Sequence, residues 1–182
     1  GKNTVAYLSE AEYAQSGNYL EVLRAVARLS YMSMYVIDYQ RKAFEYVSDN
    51  PLFLCNHTPA EVMAMGYSFY FKYVSPEDLA MLIRVNEIGF DFFDRTPLED
   101  RKNYSISYDF NLQTGREKIL VNHKLTPIFI TSEGKIWKAL CVVSLSSNTT
   151  SGNILLSKTG EDSFWELSLN TGKWNKMDKS KL

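Results

Sequence analysis

The chain has 182 residues, of which 45 % are hydrophobic and 23 % charged; this is globular composition, it excludes wholesale disorder, and the length suits one domain with extensions. Lys and Arg number 20 against 21 Asp and Glu, a net charge of −1, which leaves no basic footprint for nucleic acid. No apolar run is long enough for a membrane span, the first residues lack a signal-peptide core, and the two cysteines lie outside any CxxC pair, so a reduced, cytoplasmic protein is expected.

Residues 9 to 29 read as a helical arm. Ser9 and Glu12 form a capping box, Gly17-Asn18 interrupts the pattern, and Leu20, Leu23, Val26, Ala27 and Leu29 resume helical spacing. Residues 31 to 39 and the segment from Ala43 read as two strands joined by the short polar linker Gln40-Arg41-Lys42. Asn50-Pro51 ends that hairpin.

Three Ser/Thr-Pro pairs follow, at Thr58-Pro59, Ser75-Pro76 and Thr96-Pro97, each with an acidic residue two or three positions on. Each predicts a helix start, because the hydroxyl accepts an orphan N–H and proline has no N–H to lose. The middle helix is expected from Pro76 to about Phe93, with Leu79, Leu82, Ile83 and Ile88 inward.

The second half reads as strand. Tyr104, Ile106, Tyr108, Phe110 and Leu112 alternate with polar residues, the clearest period-two signal in the chain. Thr114-Gly115 turns it into a longer strand, Lys118 to Ile130, and Ser132-Glu133-Gly134-Lys135 turns that into Ile136 to Leu145. Residues 144 to 152, rich in Ser, Thr and Asn, read as a boundary, and Asn170-Thr171-Gly172 as the turn of an extra hairpin.

Strand, strand, helices and a three-strand meander is the order of the PAS domain, and the local text resembles that family. "YVSDNPLFL", "TPAEV", "VSPEDL" and "KLTPIFITSEGKIWKALCVVSLSS" are similar to its second strand and following helix, its next helix start, its Pro-Glu-Asp signature and its last hairpin. The resemblance implies an α+β fold: a PAS-like five-stranded antiparallel sheet with helices across one face, plus an N-terminal helix and a C-terminal hairpin. The organisation expected is a helical arm over 1–29, a PAS-like sensor domain over 30–147 and a C-terminal extension over 148–182. More narrowly, the chain resembles the sensor region of bacterial LuxR-type transcription regulators. That implies DNA contact only through a C-terminal helix-turn-helix domain, which this chain does not contain. The input domain of a sensor kinase or cyclase, and a ligand-free dimerisation module, are the alternatives.

Catalysis finds little support. His57 reads as a surface-turn residue beside a helix cap, His123 and Cys141 could be sheet neighbours but nothing in the sequence places them within hydrogen-bond reach, and no metal-ligand spacing or phosphate cradle occurs, so the chain is expected not to be an enzyme. The resemblance also speaks against two family cofactors. Cys55 lies outside the segment that carries the flavin-adduct cysteine, and residues 76 to 93 hold no histidine for haem. Tyr108, Phe110, His123, Trp137 and Cys141 from strands, with Met63, Phe69 and Tyr70 from helices, are the candidate lining of a cavity for a small organic ligand. The same residues would also fill a solid core. Both faces of 31 to 37 and of 136 to 145 are apolar, so a cover is required: the arm, the C-terminal hairpin or a second copy. The resemblance favours a homodimer.

Overall fold

The computed structural model describes residues 3–179. The arm is two helices rather than one, α1 (Glu10–Gln15) and α2 (Tyr19–Arg28), because Asn18 takes a left-handed conformation (φ 62°) between them. Strands β1 (Ser33–Asp38) and β2 (Ala43–Val47) form the expected hairpin. Asn50 caps α3 (Pro51–Leu54) through a bond from Leu52 N–H, and Thr58 with Glu61 completes a reciprocal capping box on α4 (Pro59–Met65). Then come α5 (Ser68–Tyr73) and the 20-residue α6 (Pro76–Arg95).

The other two Ser/Thr-Pro pairs do not cap as expected. Ser75 makes no side-chain cap. Its neighbour Asp78, 5 % exposed, turns to β3 (Tyr104–Thr114) and accepts from Asn111 N–H at 2.7 Å and Asn111 Nδ2 at 3.0 Å. The carboxylate that would serve a helix start thus pins α6 to the sheet. At the third pair, Thr96 Oγ1 donates back to Phe92 O, and the segment after Pro97 is a 3-10 helix, Leu98–Asn103.

Strands β4 (Glu117–Ile130) and β5 (Ile136–Leu145) complete the meander. The sheet does not stop at five strands. It has eight, in the order β2-β1-β5-β4-β3-β6-β7-β8, all antiparallel. The added strands are β6 (Gly152–Lys158), β7 (Ser163–Ser168) and β8 (Lys173–Asp178). The physical reason is that β3 pairs with β4 on one side only, and its free edge recruits β6, with Ile106 opposite Leu156. Ile154, Leu167 and Trp174 from these strands join the main core beneath α6.

That core lies on the face covered by α3 to α6. Tyr35, Phe53, Phe69, Phe110, Val62, Val85, Val121, Cys141 and Val143 are within 1 % of fully buried there. The opposite face is covered within the chain by the arm. Val5 and Leu8 pack on Trp137. Tyr19 meets Phe129 edge-on, and Arg24 lies over Tyr46. Lys138, 4 % exposed, pairs with Glu45 at 2.9 Å and stands over the rings of Trp137 and Tyr19. A lysine so deeply buried needs both the carboxylate and the ring faces to offset its lost hydration.

Candidate functional site

A cavity of about 310 Å³ opens between α5 and α6 on one side and β1, β3 and β4 on the other. Alternation on β3 and β4 delivers its sheet wall: Tyr108 and Phe110 point inward, and Tyr108 sits opposite His123 in register. Leu79, Leu82 and Ile83 supply the α6 wall, and Tyr67 and Tyr70 come from the α4–α5 turn and α5. At the rim are Lys42 from the β1–β2 turn and Asn3 and Thr4 from the segment ahead of α1.

The polar centre is a chain of three side chains. The Tyr35 hydroxyl is hydrogen-bonded to both Tyr70 Oη and His123 Nε2. Tyr35 is held by a parallel stack on Phe53 at 4.5 Å, and His123 by a stack on Tyr108 at 4.9 Å. His123 is 2 % exposed, and desolvation lowers its pKa to about 3, so the ring is neutral at ordinary pH. A neutral imidazole has one donor and one acceptor nitrogen. Nε2 is engaged, and Nδ1 is buried with no partner among the described residues. Whichever tautomer is present, one donor or one acceptor is left open.

Further polar groups are open as well. The hydroxyls of Tyr39, Tyr67 and Tyr108 line the same space and make no hydrogen bond among the described residues. Burial pushes the Tyr67 pKa up to about 12 and raises those of Tyr39 and Tyr108. All three therefore remain protonated donors.

Of the residues expected to line a cavity, Tyr70, Tyr108, Phe110 and His123 do so. Phe69 and Cys141, both 0 % exposed, stand behind that surface in the core. Trp137 and Met63 are elsewhere. The β4–β5 pairing shifts register between Pro127 and Ile130, where Phe129 pairs with Lys138 and Ile130 with Ile136. The shift breaks alternation and places Trp137 in the arm's cluster with Val5 and Leu8. Met63, 37 % exposed, lines a shallow groove between α2 and β2. Tyr35, Tyr39 and Lys42 were missed by the sequence reading. The signal for Tyr35 was present, since β1 alternation sets it beside Cys141; nothing in the sequence fixes where the turn carries Lys42.

Neither cysteine is disposed to react. Burial pushes the Cys55 thiol up to about 11 and raises that of Cys141 further, so both remain thiols. His57, expected in a surface turn, bonds Glu61 and the Tyr73 hydroxyl. Among the described residues no group of three potential metal ligands occurs, and no helix is long and apolar enough to cross a membrane.

No protein-family model matches the sequence, and no curated protein matches it. Solved structures similar to the chain include the N-terminal domain of a diguanylate cyclase with PAS/PAC sensor from Marinobacter aquaeolei. It is 11 % identical over 63 % of this chain and 94 % of that one, with a TM-score of 0.45. A sensory box histidine kinase/response regulator from Burkholderia thailandensis E264 is 10 % identical over 69 % and 84 %, with a TM-score of 0.47. An RNA-binding light-oxygen-voltage receptor is 14 % identical over 65 % and 31 %, with a TM-score of 0.44.

Proposed function

We propose that the chain is a PAS-type signal-sensing module that takes a small organic ligand into the cavity between α6 and the sheet. The observation that carries this reading is a cavity of about 310 Å³ whose walls bring together the hydroxyls of Tyr39, Tyr67 and Tyr108, none of them hydrogen-bonded among the described residues. In a filled core, polar groups left without partners would each cost about 1–3 kcal/mol; in a cavity, solvent or a ligand supplies the bond. Apolar walls with a few convergent polar groups are the usual form of such sites.

In this reading the module is non-catalytic, in keeping with a His123 that burial makes a weak base and that is already bonded to Tyr35. Occupancy reaches the arm through the rim. Asn3 exchanges two hydrogen bonds of 2.9 Å with the backbone of Ile136, and the next turns of chain place Val5 and Leu8 on Trp137 ahead of α1. A ligand moves this arm only if it binds more tightly with the arm displaced than with the arm docked as described.

The output in this proposal is a C-terminal helix-turn-helix domain of a LuxR-type transcription regulator; a kinase or cyclase output is the alternative. A homodimer is part of the same reading. The arm covers the outer sheet face within one chain, yet α2 itself presents Val22, Val26 and Leu29, 65, 45 and 89 % exposed, at helical spacing. Light scattering should find a dimer that Val26→Glu dissociates, and a strict monomer at high micromolar concentration would refute it.

The ligand reading is tested by native mass spectrometry of the folded protein. A small-molecule adduct that Leu82→Trp removes is the expected result. A bare polypeptide mass, together with a melting temperature that no compound of a metabolite library raises, would leave a ligand-free dimerisation module.

A further inference from the structure

The charge pattern of the cavity narrows its ligand. Among the described residues its lining contains no Asp or Glu, and the one formal charge there is Lys42. The nearest acid of the β1–β2 turn is already engaged: Asp38 Oδ1 accepts from the N–H groups of Gln40 and Arg41, and Asp38 Oδ2 stands 3.8 Å from Arg41. Lys42 has no ion-pair or hydrogen-bond partner among the described residues. Its backbone is left-handed (φ 53°), a conformation in which Asn or Gly is comfortable and lysine is uncommon. The turn therefore fixes an unpaired cation at the rim.

Inside, the open groups of Tyr39, Tyr67 and Tyr108 are O–H donors, and the walls between them are ring faces and aliphatic side chains. Aromatic faces alone would also welcome a cation. A cationic ligand would engage the phenols only as acceptors, leaving their O–H groups unused, and would meet Lys42 at the entrance. An anion resolves both mismatches, because its oxygens accept and its charge pairs with the lysine.

We propose that the cavity takes an aromatic monoanion: a compact ring system packed among the tyrosines, with one carboxylate or equivalent oxyanion at the rim against Lys42. This rests on the reading of the cavity as a ligand site and adds the ligand's chemistry.

The test uses three probes with one ring system and different charge: 2-naphthoate, 2-naphthamide and 2-naphthylmethylammonium. Their affinities are measured by calorimetry on the folded chain, on Lys42→Asn, which suits the left-handed backbone, and on Ile83→Trp, which narrows the rim at a half-exposed position. Naphthoate should bind about tenfold tighter than the amide, with the ammonium weakest. The advantage should vanish in Lys42→Asn while amide affinity stays unchanged, and Ile83→Trp should abolish binding of all three. Equal or tighter binding of the amide or the ammonium overturns the anion and leaves the cavity reading standing. So does a carboxylate preference that survives Lys42→Asn. Failure of all three probes at millimolar concentration, or binding indifferent to Ile83→Trp, overturns the cavity reading as well.

Discussion

Asp109 and His123 are both almost wholly buried, 0 and 2 % exposed, and they lie on adjacent strands on opposite faces of the sheet. Their environments differ in one respect. Asp109 receives three amides: Asn122 on Oδ1 at 2.9 Å, and Asn148 and Asn153 on Oδ2 at 2.7 and 2.9 Å. Both its oxygens are satisfied from within the chain, and the bonds fasten the loop between β5 and β6 to the sheet. Among the described residues His123 keeps a buried nitrogen with no partner, and the nearby hydroxyls of Tyr39, Tyr67 and Tyr108, which face the cavity, make no hydrogen bond. A closed polar cluster holds a fold together. The open one lies beside the cavity proposed above as a ligand site.

The largest effect that separates the two is on stability. Asp109→Ala removes the acceptor of three amides and should lower the unfolding free energy by about 3 kcal/mol in urea titrations. If the loss is under about 0.5 kcal/mol, the cluster does not anchor β6.

The second effect is pH dependence. His123 titrates near 3 when folded against 6.5 when exposed. Between those values the unfolded chain binds a proton that the folded ring refuses. Its contribution is therefore complete above pH 6.5 and is lost as pH falls toward 3. Unfolding free energy should drop by about 2 kcal/mol from pH 7 to pH 5 through this group. His123→Gln should remove that share of the slope, with His57 still present in both proteins as the internal control. An unchanged slope in the variant would mean His123 is not shielded from water.

The third effect is smaller. Tyr35→Phe deletes the hydroxyl between Tyr70 and His123 and should destabilise by about 1 kcal/mol, since both ring nitrogens of His123 then lack partners. Smallest is Tyr108→Phe, whose hydroxyl bonds nothing among the described residues; stability should change by less than about 0.5 kcal/mol. Naphthoate affinity should nevertheless fall severalfold in this variant. A large loss of stability instead would make the cavity part of the core.

Much of the fold was legible. Alternation in β3 is strict, so its inward residues could be named from the sequence, and with them Tyr108 and Phe110. Thr58-Pro59-Ala60-Glu61 caps a helix as its residues require, because capping is a bond between neighbours. At Ser75 the helix starts where expected, but the hydroxyl makes no cap, and Asp78 bonds Asn111, 33 positions away, instead. The same local logic failed at Trp137, where a register shift in the partner strand overrode alternation. It missed β6, whose Ser- and Asn-rich approach looks like a linker until Asp109 supplies an acceptor for Asn148 and Asn153.

Spacing along the chain was enough to set the helix starts, the hairpin turns, the order of strands and helices, and the inward set of β3 and β4. Only the tertiary contacts decided that the sheet runs to eight strands, that Trp137 serves the arm rather than the cavity, that Tyr35 joins His123 to Tyr70, and that Lys42 stands at the rim with no partner among the described residues. Those outcomes depend on which distant groups are left without partners once the backbone has paired, and no local spacing encodes that.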